Sequence, residues 1–332
     1  MSDPFDLPTQ TLTFRCVAEA PLHFRLEREG ATVGTTLAGA FGTAFMQVGC
    51  ARQRGGWPRC LGMTRADFAC PEREDCPFPW LFKPYSTIHR RALGRPVRLR
   101  APRLEEDAPV REFALEVTLW GRQAVVAREV VAETIRIMGD NGLNHAGQPV
   151  RFHLLDRKDT PPVTLRQEID RFSGPSWRQA LLVFETPLLM QSRTTDEQGN
   201  SSRSHAGAGS FRLAALFGNA AYDLMAWHLE EENDGNASNG AARHALCRTE
   251  RRAAEDAVTT GVHHLENRLF SLDLGQRQSR SNGRQFPMVG LLGHLELTGR
   301  IDALVPWLVV LERLGGGQRR GMGFGAVRFW LR

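Results

Sequence analysis

The chain has 332 residues, roughly two ordinary domains' worth, of which 42% are hydrophobic and 24% charged. That balance excludes a disordered tail, a fibre and a small disulfide-held scaffold, and the longest apolar run, 301–311, holds Asp302 and Pro306, so no membrane-spanning helix is expected. The net charge of +5 is uneven: residues 241–332 carry 14 Arg against 8 Asp plus Glu, which leaves the first 240 near neutral and points the last quarter toward a polyanionic partner.

All but Lys83 and Lys158 of the 42 cations are arginine, whose planar fork suits phosphate and base edges, although codon composition would produce the same bias. Residues 1–4 carry neither the basic nor the apolar part of a secretory signal, so the cytoplasm is the expected address.

Residues 11–26 alternate with period two, with Leu12, Phe14, Cys16 and Ala18 on one face, and predict a strand. Helical spacing of Leu37, Ala40, Phe41, Ala44 and Phe45 predicts a helix over 36–48, capped by Thr35 or Thr36. A Cys-rich loop follows, then extended stretches near 90–100 and 113–120, a helix over 122–138, a turn-rich stretch over 139–147 and a strand over 150–155. The order strand, helix, strand, strand, helix, strand then recurs. It comprises the apolar strand 180–190, a helix over 211–227, a hairpin of 267–274 with 288–298, a helix over 301–314 and a last strand from Val327.

The expected class is therefore α+β, two tandem ferredoxin-like (RRM-like, βαββαβ) units. Residues 1–172 form the first, with a Cys-rich insertion at 50–84, and residues 173–332 the second. The connection is placed at 159–177, which contains Pro161-Pro162 and Gly174-Pro175, and the acidic, small-residue stretch 230–240 reads as a loop.

The most specific motif is 315–325, with six glycines in 11 positions. Such a run cannot be the interior of a helix or strand. A bare backbone at Gly317, Gly321 and Gly323 would admit a phosphate chain, with Arg319 and Arg320 supplying charge; the alternative is a tight flexible turn. Because this loop follows a helix and precedes a strand, it is neither a dinucleotide fingerprint nor a Walker loop. A second basic element is the hairpin tip 275–284, with Arg277, Arg280 and Arg284 and no acid between them. A third is the Ala-rich stretch 241–257, where Arg243, Arg248, Arg251 and Arg252 are diluted by Glu250, Glu255 and Asp256. It reads equally as an RNA contact or a solvated helix face.

Cys50, Cys60, Cys70 and Cys76 fall within 27 residues, without the tight pair spacing of common zinc knuckles. A structural zinc, or an iron–sulfur cluster, is set against reduced free thiols. His263 and His264, adjacent on a strand, would point to opposite faces and are read as structural.

Several of these stretches resemble one family. The run from Met288 through Leu297, the helix 304–314 and the glycine loop are similar to the C-terminal signature of the RAMP superfamily, and more narrowly of the CRISPR precursor-RNA processing endoribonucleases, the Cas six family. Residues 37–42, the Cys-Pro stretch 70–84 and residues 139–152 add to the resemblance.

The resemblance implies a metal-independent cut in CRISPR repeat RNA, in which the ribose 2′-hydroxyl attacks the adjacent phosphate and leaves a 2′,3′-cyclic phosphate. Such a cut asks for a base, an acid and cations around the phosphorus, and no cofactor. The family often carries a histidine at or near the first helix, whereas residues 36–48 contain none. The expected catalytic residues are therefore His23, sharing a strand face with Arg25, and Thr36, with His145 a second choice. The expected partners are a repeat stem-loop and other CRISPR effector subunits, with no membrane. Two rivals are a non-cleaving RAMP subunit that scaffolds the guide RNA and a metal-dependent enzyme built on the cysteines.

Overall fold

The structure, a computed structural model, describes residues 3–22, 33–49, 77, 81, 85–86, 91–100, 109–145, 148–174, 176–195, 201–232, 240–278, 285–318, 320 and 323–332. In the first half β1 (Pro8–Leu22) is followed by α1 (Val33–Gly49), β2 (Val97–Arg100), β3 (Val110–Trp120), α2 (Arg128–Asn141) and β4 (Phe152–Asp159). The sheet order is β2-β3-β1-β4, antiparallel throughout. The period-two pattern of β1 puts Leu12, Phe14 and Cys16 into a core shared with Leu115 and Val117 of β3, Phe41 and Phe45 of α1, and Val131, Ile135 and Met138 of α2. Burial pushes the Cys16 thiol up to about 12, so it serves as a small apolar filler.

After α3 (Leu165–Asp170), the second half runs β5 (Gln179–Leu188), α4 (Leu213–Glu231), α5 (Gly240–Gly261), β6 (Val262–Gln278), β7 (Gln285–Gly299), α6 (Val305–Leu314) and β8 (Val327–Leu331). Its sheet order is β6-β7-β5-β8, so the two halves share one strand connectivity. Its core joins Leu182 and Phe184 to Leu216, Phe217, Leu295, Leu297, Leu308 and Leu311.

Several elements differ from the sequence expectation for local reasons. Helix α1 starts at Val33, so Thr36 lies inside its first turn and does not cap it. The helix expected over 122–138 is two pieces, broken at Ala127, whose N–H bonds to Gln123 O at 3.0 Å. Pro306 sits in the first turn of α6, where its missing N–H costs nothing, and a 3-10 turn precedes it over Ile301–Leu304.

Residues 163–170 of the expected connection are a short strand and a helix. Val163–Thr164 pairs with the start of β1, and Thr164 with Gln167 forms a reciprocal cap on α3. Leu165 and Ile169 of that stretch, with Phe5 and Leu7, join the core of the second half, where Phe5 lies 5.3 Å from Trp307, so apolar packing does not divide at residue 172. The hairpin Gln191–Thr195 with Ser201–His205 has no counterpart in the sequence expectation. Among the described residues, no helix is long and apolar enough to cross a membrane.

Candidate nucleic-acid interface

The glycine loop begins where α6 ends. Gly315 takes φ +81° and donates to Leu311 O at 2.9 Å, a left-handed helix stop that a side chain resists. From there the loop is sewn to the end of β5. Gln318 N donates to Leu189 O at 2.7 Å, Gly325 N to Pro187 O at 3.1 Å and Ala326 N to Thr186 Oγ1 at 2.9 Å, while Gly316 N donates to Gly325 O at 2.8 Å. Two backbones cross so closely that a Cβ on Gly325 would stand 1.9 Å from Gly316 O. One on Gly317 would stand 2.5 Å from Leu189 O.

These contacts correct part of the sequence expectation. The bare side of Gly317 is filled by the chain's own carbonyl rather than left open to a phosphate. Gly323 is buried and spends its N–H on Arg320 O at 2.9 Å. Arg320 turns inward: its side chain is 5% exposed, ion-paired to Asp223 of α4, with Nη1 donating to Gly315 O at 3.3 Å. Gly317 is needed for the loop's own close approach, Gly323 takes φ +82°, and Arg320 is satisfied inside the protein. Arg319 and Gly321 lie outside the described residues.

The basic hairpin is longer than its sequence suggests. The ladder runs past Asp273 to the pairs Arg277↔Phe286 and Gln278↔Gln285, so Arg277 is a ladder residue rather than part of a tip. A bulge between Asp273 and Gln276 interrupts it, where Gly275 takes φ +72° and donates to Asp273 Oδ1 at 2.8 Å. Arg280 and Arg284 lie outside the described residues.

On α5, Cys247, Ala254 and Val258 form the buried stripe. Arg251 is engaged along the helix by Glu255 at 2.7 Å, and Arg243 is half-buried. Arg248 and Arg252 are the exposed cations of that face.

His23 and Arg25 lie outside the described residues; β1 ends at Leu22, one position before His23. Thr36 is half-buried on α1. Cys50, Cys60, Cys70 and Cys76 also lie outside the described residues, and the side chain of His145 is not among those described. His263 and His264 are both exposed. No group of three or more His, Cys, Asp or Glu suited to a metal occurs among the described residues.

The sequence reading missed the charged seam between the halves. Arg100 Nε lies 2.8 Å from Glu185 Oε2 and its Nη1 2.9 Å from Glu116 Oε2, while Arg328 Nε lies 2.6 Å from Glu185 Oε1. Arg100 and Glu116 are register partners on β2 and β3, as Arg328 and Val183 are on β8 and β5, and both pairs lie on sheet faces turned away from the helices. The cluster therefore joins the uncovered face of one sheet to that of the other.

Beside it Arg98, 2% exposed, donates through Nη2 to the Glu312 carbonyl. Burial above all, with the Arg100 charge, pulls Arg98 down to about 9 against the pull of Glu312 and Glu185, which leaves it a cation at neutral pH. Burial likewise pushes the Glu312 carboxyl up, although Arg313, Arg100, Arg98 and Arg328 oppose it. The partners stand between 16 and more than 200 residues apart, so no local pattern announces them.

Residues 7–170 match the family model AF_1859_N, an N-terminal domain. The match covers just under half of the chain. No curated protein matches the sequence. Among solved structures, a Cas6 product complex aligns at 14% identity and a TM-score of 0.49 over 98% of this chain and 100% of its own. Thermus thermophilus Cas6 aligns at 13% and 0.44 over 98% and 99%, and a Cas6-related protein from Pyrococcus furiosus at 8% and 0.40 over 97% and 98%.

Proposed function

We propose that this chain binds a CRISPR repeat RNA through its second half and cleaves it by metal-independent attack of a ribose 2′-hydroxyl, as the Cas6 endoribonucleases do. The observation that carries the reading is the glycine loop: a backbone pinned at Leu189, Pro187 and Thr186, on the same sheet as the arginine-bearing β6–β7 hairpin. The repeated strand order supports reading each half as a ferredoxin-like unit. The motif resemblance described above supplies the reaction.

In this mechanism His23, between β1 and α1, takes the proton from the 2′-hydroxyl or delivers one to the leaving 5′-oxygen. Arg25 and Thr36 offset charge on the phosphorane. The arginines of the hairpin follow the phosphates and 2′-hydroxyls of the stem.

The test is a cleavage assay on a synthetic stem-loop repeat in EDTA. Cyclic-phosphate ends are expected, and a 2′-deoxy substitution at the scissile nucleotide is expected to abolish them. His23→Ala should lower cleavage by about 10²–10⁴-fold with binding intact; unchanged cleavage removes His23 from the mechanism.

The second reading, a non-cleaving RNA-binding subunit, is favoured by the absence of histidine from residues 33–49 of α1. It predicts tight binding of the same RNA with no cut. We also propose that Cys50, Cys60, Cys70 and Cys76 hold one structural zinc; metal content below about one-tenth equivalent in protein purified without chelator ends that idea.

A further inference from the structure

Arg320 is placed oddly for a phosphate ligand. Its guanidinium is nearly sealed from solvent, ion-paired to Asp223 of α4, with Nη1 on Gly315 O at 3.3 Å at the start of the loop. Its own carbonyl accepts from Gly323 N at 2.9 Å, so one residue ties both sides of the glycine turn.

The same helix face reaches into the first half. Trp227, one helical turn beyond Asp223, donates Nε1 to Gly94 O at 3.0 Å. Gly94 packs so tightly on the guanidinium that a Cβ there would stand 2.6 Å from Arg320 Nη2. Helix α4, the 93–96 segment and the loop are thus fastened at one point.

We infer that Arg320 is a positioning residue for RNA binding: latched to Asp223 and Gly315, it holds the glycine turn in the shape that grips RNA and does not itself touch the RNA. This rests on the RNA-binding reading above. A guanidinium fits the role because its fork spans a carboxylate and a carbonyl at once, which a lysine ammonium does with poorer geometry. A side chain so placed would have to abandon both partners before it could meet a phosphate.

The two possible roles of Arg320 predict opposite signs for one substitution. If Arg320 is a direct phosphate ligand, Asp223→Asn removes a competing carboxylate and the affinity for hairpin repeat RNA holds or rises. If it positions the loop, Asp223→Asn loosens the turn and affinity falls by about tenfold, measured in the full chain well below both melting temperatures. Exchanging the partners, Asp223→Arg with Arg320→Asp, should restore most of the loss; an aspartate facing phosphate would deepen it instead. Arg320→Lys keeps the charge and should fall between wild type and Asp223→Asn, which keeps the test alive should Asp223→Asn fail to fold.

Equal or tighter binding by Asp223→Asn, or a swap weaker than either single variant, overturns the inference while leaving the RNA reading in place. A wild-type protein with no preference for hairpin RNA over heparin overturns both.

Discussion

Two groups of arginines, alike in the sequence, behave differently in the fold. Arg98, Arg100 and Arg320 are sunk into the seam between the halves, each engaged by a carboxylate or a carbonyl. Arg248, Arg252 and Arg268 stand on the surface. An inward arginine cannot lose its partner cheaply, because the group left behind stays desolvated. A surface arginine can be lost with little effect on stability and a direct effect on a polyanion. The chain's excess of positive charge is thus partly structural, and because Arg320 is turned inward the net charge of the last quarter overstates what is available to a polyanionic partner.

The seam should give the largest effect. Glu185, 10% exposed, faces Arg100 and Arg328 together, so Glu185→Ala leaves the two guanidiniums with Glu116 as their shared carboxylate and should cost about 1–3 kcal/mol in urea unfolding. A loss under about 1 kcal/mol would erase the distinction between the two groups. The hairpin should behave oppositely: replacing Arg277, Arg280 and Arg284 by Ala should leave each contribution to stability within about 0.5 kcal/mol. The slope of log affinity for repeat RNA against log salt should shallow by about one per lost phosphate contact. An unchanged slope would take the hairpin out of the interface.

The smallest effect concerns a half-buried carboxyl at the joint. Burial pushes the Glu231 carboxyl up, while the Arg122 N–H, bonded to Oε1 at 2.7 Å, and the Arg122 charge oppose it. A carboxyl with a raised folded-state pKa adds stability below its unfolded value, and that stability is lost as pH rises through the folded value. Glu231→Gln keeps the acceptor and removes the titration. Its melting temperature should exceed wild type at neutral pH and match it below about pH 4; a difference of the same size at both ends would assign the effect to packing.

Much of the fold was legible locally. The alternation of Leu12, Phe14 and Cys16 and the three-and-four spacing of Val131, Ile135 and Met138 are read correctly because each element buries one stripe. The start of α1 was misjudged by three residues, since a capping threonine inside a helix looks the same as one before it. The pairing of 163–164 with β1 and the packing of Leu165 and Ile169 under α6 are not visible in the 159–177 stretch itself.

The sequence by itself determined that residues 315–325 are not the interior of a helix or strand, since six glycines in 11 positions cost too much backbone entropy there. It also determined the chain order of the four main strands in each half, because hydrophobic period is a local property. Only the tertiary structure decided which glycines serve the loop's own crossing and which arginines are turned inward. Those assignments depend on carbonyls and carboxylates brought from distant positions, such as Leu189 O against Gly317 and Asp223 against Arg320.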